Sequence, residues 1–171
     1  KYSIEERKFI ALEVVSLLKN GIIMKSKSHW RAQLVIVKGK KWRMCVDYSN
    51  TINRFTEEDA FPLPRIDELV NQLALHKYFS KYDLKSAYHQ IPIQKQDMKF
   101  TAFEANGELY QFRRIPFGLK NAVSAFQRAM TELIEKEGLK KVFPYLDDVT
   151  IAGDTIEQLE ENSKSLRGHA K

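Results

Sequence analysis

The sequence predicts an α+β fold in which an antiparallel sheet is backed by helices, and three observations predict it. Asn106-Gly107, flanked on both sides by strand-like residues, is a strong hairpin-turn signal. Ala122, Ala125, Phe126, Ala129, Met130, Leu133 and Ile134 recur at helical spacing as an unbroken apolar stripe, which Gly138 ends. From Tyr78 onward the elements run strand, short helical turn, two strands, helix and strand pair, an order that suits an antiparallel sheet backed by helices.

Local signals give the remaining elements. Ser3-Ile4-Glu5-Glu6 reads as a capping box that opens a helix, and Asn20-Gly21 closes it. Residues 33–37 and 43–47 read as two strands around a short basic turn at Gly39. Phe61-Pro62-Leu63-Pro64 is extended, because each proline disfavours helix in the residue before it. Ile66, Leu69, Val70, Leu73 and Ala74 share one face of a short helix. Tyr78 to Asp83 reads as a strand. Residues 100–105 and 108–113 form the arms of the Asn106-Gly107 hairpin, and residues 142–146 and 149–152 those of a second hairpin turning at Asp147-Asp148. Phe126 and Met130 are expected in the core, with Glu132, Glu135 and Glu137 on the solvated face. His76 and His169 read as surface residues, and His89 as structural polarity.

A chain of 171 residues has the size of one domain, or of two small lobes sharing a core. Its 43% hydrophobic and 29% charged content excludes wholesale disorder. No apolar run approaches the roughly 20 residues that span a bilayer, and the first residues lack the apolar stretch of a secretion signal. The single cysteine, Cys45, excludes an intramolecular disulfide and a multi-cysteine zinc site. Within Met44-Cys45-Val46 it reads as a buried, inert thiol, which fits a reducing, intracellular compartment.

The net charge of +6 is unevenly spread. Residues 1–56 carry +8 and residues 57–171 carry −2, and the stretch from Val14 to Val46 holds eight basic residues and no acid. Lys25, Lys27, Arg31, Lys38, Lys40, Lys41 and Arg43 are interleaved there with Trp30 and Trp42. Such a lobe attracts a polyanion, with cations on phosphates and indoles free to stack on bases. A solvated basic face that binds nothing accounts for the charge equally well.

The chemistry lies in the acidic residues. Tyr145-Leu146-Asp147-Asp148 places adjacent acids at a turn between apolar strands. A Tyr-x-Asp-Asp match arises by chance in ~2% of chains of this size, and aspartate is an ordinary turn residue, so the pair alone decides little. Asp83 changes the weighing, because it ends the strand Tyr78-Phe79-Ser80-Lys81-Tyr82. If that strand lies beside the Asp147 hairpin, the two carboxylates converge at one edge. Convergent carboxylates repel, and both stay ionised only with a cation between them. Mg²⁺ suits an all-oxygen site that leaves positions for phosphate oxygens and water, and a pair of such ions suits phosphoryl transfer.

Five stretches carry a family resemblance. Phe79-Ser80-Lys81-Tyr82-Asp83-Leu84-Lys85-Ser86-Ala87-Tyr88-His89-Gln90-Ile91 looks like a first catalytic motif, and Tyr145-Leu146-Asp147-Asp148 like a catalytic hairpin. Pro116-Phe117-Gly118-Leu119-Lys120-Asn121-Ala122, leading to Ala125-Phe126-Gln127, looks like a template- and nucleotide-positioning motif. Trp42-Arg43-Met44-Cys45-Val46-Asp47-Tyr48 matches a fingers strand, and Phe61-Pro62-Leu63-Pro64-Arg65-Ile66-Asp67 the segment joining fingers to palm. In this order they cover nearly the whole chain, which resembles reverse transcriptases, most closely those of gypsy-type LTR retrotransposons, with retroviral enzymes more distant.

The resemblance implies a palm with a ferredoxin- or RRM-like βαββαβ sheet over residues 77–171 and a mixed fingers lobe over 1–76, connected near 56–66. The two make a single reverse transcriptase domain over 1–171, with neither thumb nor RNase H. It implies an RNA-directed DNA polymerase using two Mg²⁺ ions, with Mn²⁺ able to substitute. Asp83 and Asp147 would be metal ligands, with the Leu84 carbonyl as a further oxygen and Asp148 as a supporting third carboxylate. Backbone amides of Ser86 and Ala87 would face the incoming triphosphate. Arg43 would lie over the nucleotide, Phe117 and Gln127 would line its pocket, and Gly118 the template side. Lys38 is the favoured fingers lysine for the triphosphate, although the turn Lys38-Gly39-Lys40-Lys41 is shorter than the usual family loop. Tyr88 matches the residue beneath the sugar, where a bulky ring takes the volume of a ribose 2′-hydroxyl and favours deoxynucleotides. Ala122-Val123-Ser124-Ala125 lacks the proline common in its motif. Implied partners are an RNA or DNA primer-template, dNTPs and the remaining Pol polyprotein segments, with no membrane. The implied setting is a cytoplasmic virus-like particle or the nucleus. A catalytically silent relic that keeps the fold as a nucleic-acid-binding module is the alternative.

Overall fold

The computed structural model describes residues 2–84 and 86–169, with the side chain of His169 outside that description. In chain order the elements are α1 (Ile4–Lys19), β1 (Ile23–Lys25), β2 (Gln33–Val37), β3 (Arg43–Asp47), α2 (Ile52–Phe55), α3 (Ile66–Leu73), β4 (Tyr78–Asp83), β5 (Phe103–Ala105), β6 (Glu108–Phe112), α4 (Ala122–Lys136), β7 (Val142–Tyr145), β8 (Asp148–Gly153) and α5 (Ile156–His169). Single 3₁₀ turns occupy Ala87–Gln90 and Met98–Thr101. The chain divides into two compact units, Lys1–Glu58 with Tyr88–Ala122 and Asp59–Ala87 with Val123–Lys171. Packing thus builds each unit from two separated stretches, whereas the division at 76 and 77 follows the order of motifs. No helix of the described residues is long and apolar enough to cross a membrane.

In the first unit, α1 opens on the expected capping box. The Ser3 hydroxyl accepts the Glu6 amide at 3.2 Å, and the Glu6 carboxylate accepts the Ser3 amide at 2.6 Å. Strands β2 and β3 form an antiparallel pair with Val37 opposite Arg43 and Gln33 opposite Asp47. Ile10 and Val14 of α1 bury against Ile23, Leu34, Val46, Tyr48, Phe103, Tyr110 and Phe112 in one cluster. Tyr48 donates its buried hydroxyl to the Thr101 carbonyl at 3.0 Å. Both tryptophans are half-buried and packed against phenylalanines. Trp42 meets Phe9 edge-on at 5.7 Å, and Trp30 meets Phe55 and Phe100 at 5.7 and 5.4 Å. Cys45 is half-buried, more open than its apolar neighbours implied.

A single βαββαβ sheet does not form. The β5–β6 hairpin, which the element order assigns to the sheet of β4, instead pairs with β1, with Ile23 opposite Phe112 and Lys25 opposite Tyr110. The reason is burial. Phe103, Tyr110 and Phe112 complete the apolar cluster under α1, and β1 supplies a partner edge too short to announce itself in sequence.

In the second unit, β4, β8 and β7 make a three-stranded antiparallel sheet in that order. Its register runs from Tyr78 opposite Gly153 to Asp83 opposite Asp148. Helix α5 backs it: Leu166 and Ser163 are buried, as are Val149, Ile151 and Ala152, and Asn162 donates to the Ala152 carbonyl at 2.9 Å. Gly153 has a steric reason, since a Cβ there would sit 2.6 Å from the Leu159 backbone nitrogen. The turn of the β7–β8 hairpin falls one residue earlier than expected, on Leu146 and Asp147. Tyr145 pairs with Asp148, which therefore belongs to the strand. Leu146 takes the left-handed backbone (φ 55) that two-residue hairpin loops demand. Phe126 and Met130 are buried as expected. His76 is not a surface residue: its ring, only 15% exposed, bonds Asp154 at 2.8 Å, and Lys141 pairs with the same carboxylate. The stripe of α3 forms, but none of its residues is buried, and Ile66 and Val70 are exposed.

Candidate active site

The acidic residues meet through strand register. Asp83 is the last residue of β4 and Asp148 the first of β8, and the two stand directly opposite each other. Opposed residues of an antiparallel pair share a face with Cβ atoms about 5 Å apart, a placement in which like charges are destabilising. Asp147 joins them through the backbone, because the Leu84 amide donates to the Asp147 carbonyl at 3.2 Å and ties the exit of β4 to the hairpin turn. Asp83 and Asp147 are exposed, and Asp148 is half-buried.

Among the described residues, one cation answers this charge. Lys81 lies two residues before Asp83 and so on the same face, and its ammonium reaches Asp148 Oδ2 at 2.6 Å. The hydrogen bond to Asp148, followed by that carboxylate's charge and then those of Asp83 and Asp147, holds the Lys81 ammonium above the usual lysine range. Sequence reading passed over Lys81; the signal was its i, i+2 spacing from Asp83 within a strand.

The donors are hard carboxylate oxygens at one end of a strand pair, the kind an oxygen-coordinated divalent cation takes, and one of them, Asp148, is paired with Lys81. Among the described residues, no three His, Cys, Asp or Glu side chains are already drawn together as a metal-ligand set. The Leu84 carbonyl accepts the Ala87 amide at 3.1 Å, so two groups assigned to metal and triphosphate are here paired with each other. Ser86 precedes that turn with φ 52. Gln127, on α4, is 3% exposed, and its side-chain oxygen Oε1 is buried without a hydrogen-bond partner, an orphan that a polar ligand would satisfy.

The first unit holds the other candidates. Tyr88 is buried, and its ring meets Phe117 edge-on at 4.9 Å. Phe117 is half exposed. His89 stacks on Phe112 with centroids 6.1 Å apart, and burial pushes its imidazole below the usual range. Arg43 and Phe117 line one cavity of about 430 Å³ with Trp42, Met44, His89 and Phe112. Gly118 takes φ 90, and a Cβ there would press to 3.2 Å on the Val46 carbonyl. Its loop is clamped to α2: Asn53 donates to the Gly118 carbonyl at 2.7 Å and accepts the Lys120 amide at 2.9 Å. Lys38 is ion-paired with Glu6 at 3.0 Å and lies over Trp42. Lys40, Lys41 and Arg43 form no ion pair among the described residues.

Comparison with known proteins decides the family. Residues 27–171 match the family described as "Reverse transcriptase (RNA-dependent DNA polymerase)". The chain belongs to the reverse transcriptase family. It is 35% identical over 95% of its length to the retrovirus-related Pol polyprotein from transposon 412, and 38% identical over 84% to that from transposon gypsy, both of Drosophila melanogaster. These likenesses support a gypsy-type LTR retrotransposon reverse transcriptase. The chain spans 14% of each of those polyproteins. The fold matches that of a foamy viral protease-reverse transcriptase solved with an RNA/DNA hybrid, at a TM-score of 0.84 and 24% identity, covering 99% of this chain and 22% of that one. Reverse transcriptases generally use divalent metal ions.

Proposed function

We propose that this chain is the fingers-and-palm part of an RNA-directed DNA polymerase, adding deoxynucleotides to a primer 3′ end on an RNA or DNA template. One observation carries the reading: Asp83 and Asp148 oppose each other across β4 and β8 while the Leu84 amide holds the Asp147 carbonyl. Asp83 and Asp147 would hold two Mg²⁺ ions, or Mn²⁺, with Asp148 as the weaker third carboxylate and the second lone pair of the Leu84 carbonyl as a further donor. When bound, such ions activate the 3′-hydroxyl and stabilise charge on the leaving pyrophosphate.

The chain's own residues bind and select. Tyr88, braced by Phe117, takes the volume a ribose 2′-hydroxyl needs and favours deoxynucleotides. Arg43, with Lys40 and Lys41 unpaired beside it, attracts the triphosphate; Lys38, already neutralised by Glu6, contributes less. The Ser86 amide serves the phosphates, and the Ala87 amide joins it on leaving Leu84. Gln127 gives its orphaned amide oxygen a partner in the nucleotide pocket, and Gly118 lets the template pass close to the backbone. Fingers (1–76) and palm (77–171) act with the further Pol segments on primer-template, in a cytoplasmic virus-like particle or in the nucleus.

Primer extension on poly(rA)·oligo(dT) with Mg²⁺ tests this, using a chain lengthened to match the Pol polyproteins. Asp147→Asn is expected to abolish synthesis while template binding stays nearly intact. Undiminished extension by that variant would remove Asp147 from the mechanism.

A further inference from the structure

We infer that Lys81 is a resident counter-cation that occupies the acidic edge in the absence of a divalent ion and sets the affinity with which that edge takes one. The inference rests on the metal-site reading of Asp83, Asp147 and Asp148 given above.

Register fixes the placement. Lys81 pairs with Thr150 and Asp83 with Asp148, so the Lys81 to Asp148 contact at 2.6 Å runs diagonally across the ladder, on the face that carries the acids. Among the described residues it is the one cation ion-paired with any of the three aspartates. The lysine side chain is 65% exposed, and a pair so open to water adds little to stability. Its effect therefore falls on the charge balance of the carboxylates. With the ammonium in place, two opposed acids and a third beside them are tolerated at one edge, and Asp148 is turned toward Lys81. A divalent ion drawing on Asp148 must compete with this contact, and one bound to Asp83 and Asp147 alone still feels a positive charge a few ångströms away. Lys81 is thus a positioning residue, acting through the carboxylates and touching no substrate.

Manganese binding tests the inference without any turnover. The chain, stripped with chelator, is titrated with Mn²⁺ and free ion is read by electron paramagnetic resonance for wild type, Lys81→Met and Lys81→Arg. A unit positive charge at this range, in water-like dielectric and moderate salt, weakens a dication by about three- to tenfold. Lys81→Met is expected to bind Mn²⁺ tighter by that factor, and Lys81→Arg to bind as wild type does. Far-UV circular dichroism verifies that each variant is folded. Equal or weaker Mn²⁺ binding by a folded Lys81→Met overturns the inference while leaving the metal site standing. Absence of Mn²⁺ binding in all three chains removes the metal site and the inference together.

Discussion

The two charged hairpins of this protein gather their charge by opposite routes. The basic one, β2–β3, takes its charge from residues adjacent in sequence: Lys38, Lys40, Lys41 and Arg43 lie on one turn and the strand after it. The acidic edge takes Asp83 from one strand and Asp147 and Asp148 from a hairpin more than sixty residues later, and only the pairing of β4 with β8 brings them together. Charge that is local in sequence can act as a diffuse attractor and tolerates error. Charge assembled by a sheet is directional, and its use depends on alignment.

The sharpest way to break this contrast is at Asp83. Asp83→Asn should lower primer extension by a factor on the order of 10³ or more, since a metal-held charge is worth several kcal/mol and each 1.36 kcal/mol is tenfold. Gel-shift affinity for the same primer-template should change less than about twofold, as one surface charge among many. A parallel collapse of binding would mean that Asp83 acts on structure. Next in size, Tyr88→Val should raise ribonucleotide incorporation relative to deoxynucleotide by about tenfold or more; an unchanged ratio in competition assays assigns sugar selection elsewhere.

The basic hairpin should behave in a graded way. Replacing Lys40, Lys41 and Arg43 together by alanine should reduce the slope of log affinity against log salt for single strands by about 2, from roughly 0.7 per phosphate contact. Lys38→Ala alone should change that slope little, because Glu6 already answers its charge. A salt response identical to wild type in the triple variant would make the turn a solvated face.

The smallest effect is a pH one. The Glu6 carboxyl is held below its ordinary value of 4.5 by the Ser3 amide first, then by the hydrogen bond to Lys38. A carboxyl lowered in the folded state stabilises above its unfolded value, and that contribution is lost as pH falls through the lower folded value. Glu6→Gln should lower the melting temperature slightly at neutral pH and flatten the acid limb below about 4.5, where the two proteins converge.

Much of this was legible in the sequence because its signals are local. The capping box at Ser3, the strands at 33–37 and 43–47, the helix after Asn121 and the strand ending at Asp83 each depend on residues within a few positions. The acids were legible as candidates by their placement at strand ends, and the family by its motifs. What sequence could not supply was partnership. The β5–β6 hairpin carries turn and strand signals but nothing that names β1 as the edge it joins. Lys38 reads as a free cation until Glu6 is folded against it, and the indoles read as unpartnered until Phe9, Phe55 and Phe100 pack edge-to-face with them. Lys81 looked like a strand residue of no note, since its role comes from a diagonal contact that exists only once β8 is in register.

The close fit of Gly153 against Leu159, at the opposite end of the β4–β8 ladder from the acids, has a consequence for how this protein can fail. Strand side chains alternate between faces, so sliding β8 by a single position would send Asp148 to the reverse of the sheet while nearly every hydrogen bond found a new partner. Gly153 lies about five steps from Asp148, and its missing side chain is what lets the chain turn so tightly from β8 into α5. A side chain there would strain the turn into α5, and any shift of β8 that followed would take Asp148 out of line with Asp83 while leaving every carboxylate intact.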